Sequence, residues 1–422
     1  MEKNSETTST TTEIIHLDLD NQSIGPEGVS EILHDEKLKY IERLSLRFNS
    51  LDHDAIALIG SNNTWYNLKE LYLSGNQLGD KGASAIGNNV AWVNLQDLRL
   101  SRCQIGNEGA ISLASNTAWK NLKKLILGQN KIGVEGAVAI GKNTTWAYLE
   151  ELYLKGNQIK DLGAIAIAKN KSWESLQKLE LGNNKIGIKG IKELCSNPTW
   201  VNLRELGLQQ NNLGSEGAKL IAGNPIWKYL EILSLSSTNI GDEGASAIGE
   251  NQTWDLSELR IANNYITSIG AISIAKNTNW TKLKLLSFFG NNIGDGGCVA
   301  IAQNQTWSNL EELGLCGNGI GDIGAIEIGK KAVWEKLKKL DLSGNKISHE
   351  GAVMLAANHS WISLEELDLS RNLIGYKGGL VLGKNGLWKN LKRLGLLYNE
   401  TIKIEEECAL KSNSEFGSKI SI

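Results

Sequence analysis

The sequence predicts an α/β solenoid, with short parallel strands along one side and helices along the other. Three observations predict it. All 13 tryptophans, from Trp65 to Trp388, recur every 27 residues except for one interval of 26 between Trp254 and Trp280. A fixed period in this range marks an array of stacked units. Each unit then carries a Leu-x-Leu pair such as Leu71 and Leu73, and alternation of period two sends both leucines to one face of a strand. Last comes a Gly-x-x-Gly-Ala-x-x-Ile-Gly/Ala phrase, as at Gly133 to Gly141. Its Ala, Ile and final small residue fall at i, i+3 and i+4, one stripe of a helix. Because every unit runs the same way, the strands are expected to be parallel neighbours.

Along the chain, residues 1–12 are rich in Ser and Thr and are expected to be a disordered tail. The array spans residues 13–400 and holds about fifteen units. The first begins near Glu13, has Leu17 and Leu19 as its strand leucines, and carries Leu38 where later units have Trp. The second has Leu44, Leu46, Asn49 and Leu51, with Ala55 replacing a glycine. Close copies follow as far as Tyr398, the last leucine pair being Leu394 and Leu396. Residues 401–422 diverge, as a terminal cap without a covering neighbour must. A short capping helix near Glu405 to Lys411 and a loose tail are expected there.

Inside each unit, residues such as Asp80, Asn107, Asp242, Asp295 and Asp322 stand after the first glycine. They are helix-capping types, so the helix is expected to start there. It is expected to end near the Asn that precedes each Trp by three, a residue suited to a C-terminal position. The Trp column lies between helix and strand and reads as core. Burying about 150–250 Å² per ring at about 25 cal/mol/Å² gives roughly 4–6 kcal/mol gross per unit.

The phrase Leu68, Leu71, Leu73, Asn76, Leu78 resembles a leucine-rich repeat. The Gly-x-x-Gly-Ala segment resembles the ribonuclease-inhibitor-like subclass, here with a Trp in each unit. The resemblance implies a right-handed horseshoe with the strands on its concave face and the helices on its convex face. It also implies that Asn76, Asn130, Asn157 and Asn184 form an asparagine ladder. The physical logic is that stacked loops bury backbone groups, and an amide side chain both donates and accepts.

Net charge is −3 and the isoelectric point is near 6.1, which argues against a nucleic-acid partner. No apolar run approaches the roughly 18 residues of a membrane span, so no membrane partner is expected. The N-terminal residues lack an apolar signal core. A cytoplasmic monomer is therefore expected, with leaderless export into a host cell as a further possibility. Cys103 takes an Asn slot, Cys195 and Cys298 take small helix positions, Cys316 follows a strand, and Cys408 lies in the divergent end. Five cysteines without a spacing pattern suit a reducing compartment. Sequons such as Asn143-Thr144-Thr145 and Asn251-Gln252-Thr253 arise from the period and are not read as glycosylation sites.

No motif points to catalysis, a metal or a cofactor. Gly136 to Asn143 resembles a P-loop lacking its final Ser/Thr. Its Gly-Lys falls at a helix end, where the dipole repels phosphate. The five histidines are scattered without ligand spacing. Glu150-Glu151, Glu311-Glu312 and Glu365-Glu366 alternate along the array with Lys123-Lys124, Lys338-Lys339 and Lys392-Arg393. Strands about 4.8 Å apart set these charges side by side, so they are expected to pair laterally.

The expected function is a non-enzymatic scaffold that grips a partner protein on its concave face. The variable residue between the strand leucines offers Tyr72, Arg99, Ile126 and Tyr153 in the N-terminal third, with Phe48 and Arg102 just past their strands. Exposed aromatics with arginine are the composition of binding hot spots, so these six are the candidate partner-binding residues. An intracellular adaptor or a leaderless bacterial effector would suit such a chain. The alternative is a GTPase activator resembling the Ran-activating repeat proteins, suggested by the Gly-Asp-Glu-Gly-Ala phrase at Gly241 to Ala245.

Overall fold

Residues 15–399 and 420–421 are described in the computed structural model. The expected tail at 1–12 and the expected capping helix at Glu405 to Lys411 lie outside them. The chain divides into two compact units, Met1–Asn184 with Ser196–Trp200, and Lys185–Cys195 with Val201–Ile422.

The first unit contains strands β1 (His16–Asp18), β2 (Arg43–Ser45), β3 (Glu70–Tyr72), β4 (Asp97–Arg99), β5 (Lys124–Ile126), β6 (Glu151–Tyr153) and β7 (Lys178–Glu180). Helices α1 (Gly25–His34), α2 (His53–Gly60), α3 (Gly79–Gly87), α4 (Asn107–Ala114), α5 (Val134–Lys142) and α6 (Lys160–Ala168) connect them. Each strand pairs in parallel with the next, one period along, as in Leu71↔Leu98 and Leu98↔Leu125.

Helix α7 (Ile188–Ser196) follows, and the second unit repeats the plan. Its strands are β8 (Glu205–Gly207), β9 (Ile232–Ser234), β10 (Glu258–Arg260), β11 (Leu285–Ser287), β12 (Glu312–Gly314), β13 (Lys339–Asp341), β14 (Glu366–Asp368) and β15 (Arg393–Gly395). Its helices are α8 (Gly214–Ala222), α9 (Gly241–Glu250), α10 (Ser268–Ala275), α11 (Gly294–Gln303), α12 (Asp322–Lys331), α13 (His349–Ala356) and α14 (Gly375–Gly383). A final strand, β16 (Ile420–Ser421), pairs in parallel with β15. At those two residues the chain therefore continues the sheet rather than forming the loose tail expected from the sequence. The α/β solenoid predicted from the period is present in both units.

The core is built as the alternation requires. Leu71, Leu73, Leu98 and Leu100 are fully buried, and Trp65 to Trp388 are all at most 2% exposed. Small residues set the helix spacing. A Cβ at Gly141 would stand 2.5 Å from the Ala166 backbone, so only glycine lets α5 and α6 approach this closely. The near-P-loop is thereby explained as helix packing, with Lys142 the last residue of α5.

Two asparagine ladders run through the stack. The one expected after the strand is present. Asn76 accepts from the N–H groups of Asn49 and Leu51 (3.0 Å each) and donates to the carbonyls of Leu46 (2.8 Å) and Leu73 (2.9 Å). Cys103 substitutes with its thiol, 3.4 Å from the Leu73 carbonyl. The second ladder uses the Asn that precedes each Trp by three. Asn116 donates to Gly87 O (2.8 Å) and Asn89 O (2.7 Å) and accepts from Ala118 N (2.8 Å) and Trp119 N (3.2 Å). The helices end near these residues as expected, and Asn143, Asn251 and Asn304 are C-caps with extended backbone, at φ of −72°, −66° and −72°. The sequon residue Asn143 is buried, and its amide is bonded to Ala114 O at 2.7 Å.

The helices start at or one residue before the capping-type residues, as expected, but the capping partner differs. Asp80 does not cap its own helix. Its Oδ1 accepts from Gly106 N (2.7 Å) and Gly109 N (2.9 Å) at the start of α4, the next helix. Asn107 serves α5 in the same way, and Asp295 serves α12 through Gly321 N (2.8 Å) and Gly324 N (2.9 Å). Caps from the helix's own N-cap side chain occur at Asp52, Thr267 and Ser348. Helix N-terminal N–H groups have no partner within their own helix, and here the preceding unit supplies one. Asp295→Ala is expected to destabilise the protein by about 1–2 kcal/mol. In hydrogen exchange, protection should fall first at Gly321, just before α12, and at Gly324 in its first turn; loss confined to α11 would refute the cross-unit cap.

The expected lateral charge pairing is present. Lys338–Glu311 and Lys392–Glu365 are 2.7 Å apart, and Lys123–Glu150 and Lys124–Glu151 are 3.3 and 3.0 Å apart. Hydrogen bonds from Lys338 and Lys392 hold Glu311 and Glu365 below the usual carboxylate range. All are exposed to some degree, so solvent screens each pair and each contributes little to stability.

Candidate partner-binding surface on the first unit

The strand register assembles the site. Ser45, Tyr72, Arg99, Ile126 and Tyr153 are successive partners across β2 to β6. They form one row, with strands about 4.8 Å apart. A second row two residues earlier on the same face holds Arg43, Glu70, Asp97, Lys124 and Glu151. The structure therefore brings four of the six candidate residues side by side. Phe48 and Arg102 lie in the turns that follow β2 and β4.

Tyr72 is the centre of this surface, but it is not exposed. It is only 6% accessible, because its neighbours close over it. Its hydroxyl donates to Glu70 Oε2 at 2.6 Å and to Asp97 Oδ2 at 3.2 Å. Burial, with the hydrogen bond to Glu70 next and the nearby Asp97 charge after it, pushes the phenol well above its ordinary value, so it stays a donor. Glu70 and Asp97 face each other across the sheet, and the shared hydroxyl offsets their repulsion. Arg99 completes the arrangement. It binds Asp97 at 2.7 Å and lies 4.4 Å over the Tyr72 ring. The bond to Asp97 raises its already high pKa further. Arg43 and Arg47 approach the same ring at 5.3 and 6.0 Å.

Arg47 also binds Asp20, which accepts from Arg47 Nε and Ser45 Oγ at 2.6 Å. Burial opposes ionisation of Asp20, yet the Arg47 and Ser45 hydrogen bonds hold its carboxyl below the usual range. Arg43 reaches both Asp18 (3.8 Å) and Glu70 (3.6 Å). Arg43, Arg47, Glu70 and Asp97 were not among the sequence candidates. A signal was present, since Asp97 interrupts the alternation of charge along its row.

Phe48 is 47% exposed and holds a left-handed conformation at φ 55°. Its ring lies on Gly75, where a Cβ would stand 2.3 Å away. Arg102 occupies the equivalent turn at φ 57°, is exposed, and donates through Nε to Gln129 Oε1. Ile126 and Tyr153 are half-buried. The exposed part of the candidate set is thus Phe48 and Arg102, with Ile126, Tyr153 and Arg99 half-covered and Tyr72 beneath.

Among the described residues, no group of three or more His, Cys, Asp or Glu is placed to hold a metal, and no helix is long and apolar enough to cross a membrane. Cys103, Cys195, Cys298 and Cys316 are free, and burial pushes the Cys103 and Cys195 thiols up to about 12.

A family model described as "Leucine Rich repeat" matches ten segments between residues 67 and 383, together more than half of the chain. Comparison with characterised proteins finds no match. Among solved structures, a leucine-rich-repeat protein of Leptospira interrogans is similar at TM-score 0.56 and 21% identity, covering 98% of this chain and 97% of that one. An internalin (inlF) from Listeria monocytogenes is similar at TM-score 0.50 and 20% identity, covering 94% of this chain and 93% of that one. At these identities the likeness concerns the fold.

Proposed function

The chain belongs to the leucine-rich-repeat family, and from that premise we propose that it is a non-enzymatic scaffold that grips a partner protein on the strand face of its first unit. The observation that carries this is the arrangement around Tyr72. Its ring, ringed by Arg43, Arg47 and Arg99, forms a platform whose charges are already paired. A pre-ordered surface loses little side-chain freedom on binding. Phe48 stands beside it as an exposed apolar anchor and Arg102 as a polar one, the residue types of interface hot spots. Ile126 and Tyr153 extend the surface along the row. The free cysteines suit a reducing compartment, in keeping with an intracellular adaptor.

Affinity capture from cell lysate with two baits tests the reading. One bait is wild type. The other carries Phe48→Ser, Arg102→Glu and Ile126→Ser, leaves Tyr72 intact, and is checked by circular dichroism. A bound protein should be lost from the second bait, and its purified form should bind at least about thirtyfold more weakly, the effect of roughly 2 kcal/mol. Identical captures would remove this surface from consideration. Faster GTP hydrolysis by a captured GTPase would replace the plain scaffold with an activator.

A further inference from the structure

The helix face of the first unit carries a second feature. Between α5 and α6 lies a shallow trough of about 650 Å³. Val134 and Val138 line one side, and Leu162 and Ile165 the other. Residues three or four apart share one side of a helix, so each pair forms a continuous apolar wall. Leu162 is 64% exposed. In the units on either side its position is held by Asp54, Lys81, Glu108, Glu135 and Lys189. Val134 likewise stands where Asp80, Asn107 and Asp161 stand. Ile188 shares the Val134 position, and the exposed Ile269 and Ile323 share that of Leu162 in the second unit, so the trough arises where apolar residues at both positions meet between α5 and α6.

Its charge is one-sided. Lys142, Lys169 and Lys171 rim the end of the trough where α5 and α6 terminate, and no acidic residue lines it. All three lysines are exposed, and none forms an ion pair among the described residues. A lysine at a helix C-terminus complements the dipole. That accounts for Lys142 and Lys169 but not for Lys171, which lies beyond α6, nor for the apolar walls.

We propose that this trough docks an acidic amphipathic helix of a partner protein, running antiparallel to α5 and α6. Apolar residues at i, i+3 or i+4 and i+7 of that helix lie first over Val138 and Ile165, then over Val134 and Leu162. The antiparallel direction sets its first turn among the three lysines. Carboxylates are favoured in a first turn by the helix's own dipole, so the same acidic residues satisfy both the partner helix and the lysines. This site is separate from the strand-face surface, and neither depends on the other.

Selection of displayed random peptides about 16 residues long, enough for four helical turns, on the full-length protein tests it. Selected peptides should combine N-terminal Asp or Glu with apolar residues at helical spacing. In fluorescence anisotropy they should bind Leu162→Glu and Lys142→Glu/Lys169→Glu/Lys171→Glu at least tenfold more weakly than wild type. The strand-face variant Phe48→Ser should bind them unchanged. Failure to select peptides, selection of peptides without the acidic turn, or equal binding by Leu162→Glu would overturn the proposal. So would lysine-dependent sedimentation with anionic phospholipid vesicles without peptide binding, which would assign the lysines to a membrane surface.

Discussion

Trp173→Ala is expected to lower stability by about 3–5 kcal/mol. Trp173 is fully buried, and its loss removes ring contacts between strand and helix. Chemical denaturation followed by circular dichroism checks this, with hydrogen exchange to locate the damage. In a stacked array each unit contacts only its neighbours, so protection should fall most near β7 and α6. An unfolding midpoint too close to wild type to resolve would show that the column does not support the fold. The indole N–H adds a finer test. The Trp173 Nε1 has no acceptor within hydrogen-bonding distance, whereas that of Trp254 donates to the Trp227 carbonyl at 2.9 Å. Trp173→Phe should therefore be milder than Trp254→Phe by about 1 kcal/mol, the net worth of one buried hydrogen bond.

Asn345→Ala should be comparably severe. The Asn345 side chain accepts from Asn318 N and Ile320 N (3.0 Å each) and donates to the carbonyls of Leu315 (3.0 Å) and Leu342 (2.9 Å). Truncation leaves several buried backbone groups without partners. Each such group costs about 1–3 kcal/mol, so a total near 3–5 kcal/mol is expected after partial relaxation. Asn345→Asp tests the same point. It keeps the acceptor but loses the amide donors, and it places a carboxylate against two carbonyl oxygens. It should be at least as destabilising as Asn345→Ala near neutral pH. If Asn345→Ala unfolds with wild type, the ladder is ornamental.

How legible was all this in the sequence? Residues whose role depends on their own unit were readable. Leu71 and Leu73 show their face by alternation, and Trp173 shows its place by its period. Asn76 was legible through the resemblance and its stacking logic. The lateral charge pairs, which span one period, were legible too, whereas the caps that pass from one unit to the next were not. Asp80 looks like a cap for α3, because capping preference is a local signal, yet its acceptor oxygen lies at the start of α4. Asn89 follows the end of α3 as expected, but the service of its amide to Gly60 and Asn62 in the preceding unit was not legible. At the candidate site, Phe48 and Arg102 stand exposed as their positions after the strand suggest. Tyr72 does not, since its burial comes from Glu70, Asp97 and Arg99 acting together. A variable position in a repeat reveals which side chain faces outward, not whether its neighbours will cover it.

The cross-unit caps have a consequence for how such a chain changes length. A period with Asp or Asn at this position, such as those of Asp80 and Asn107, brings one half of the bond to the next copy, whereas Val134 and Ile188 interrupt the series. Excision or insertion of a whole period between units that carry the acceptor therefore rejoins matching halves. Genetic duplication can lengthen this protein without inventing a single new contact, and unequal recombination can shorten it just as cleanly. A break out of phase strands a carboxylate on one side and bare amides on the other. The array is thus a text that tolerates copying by the sentence but not by the word, which explains how so many near-identical units came to stand in one chain.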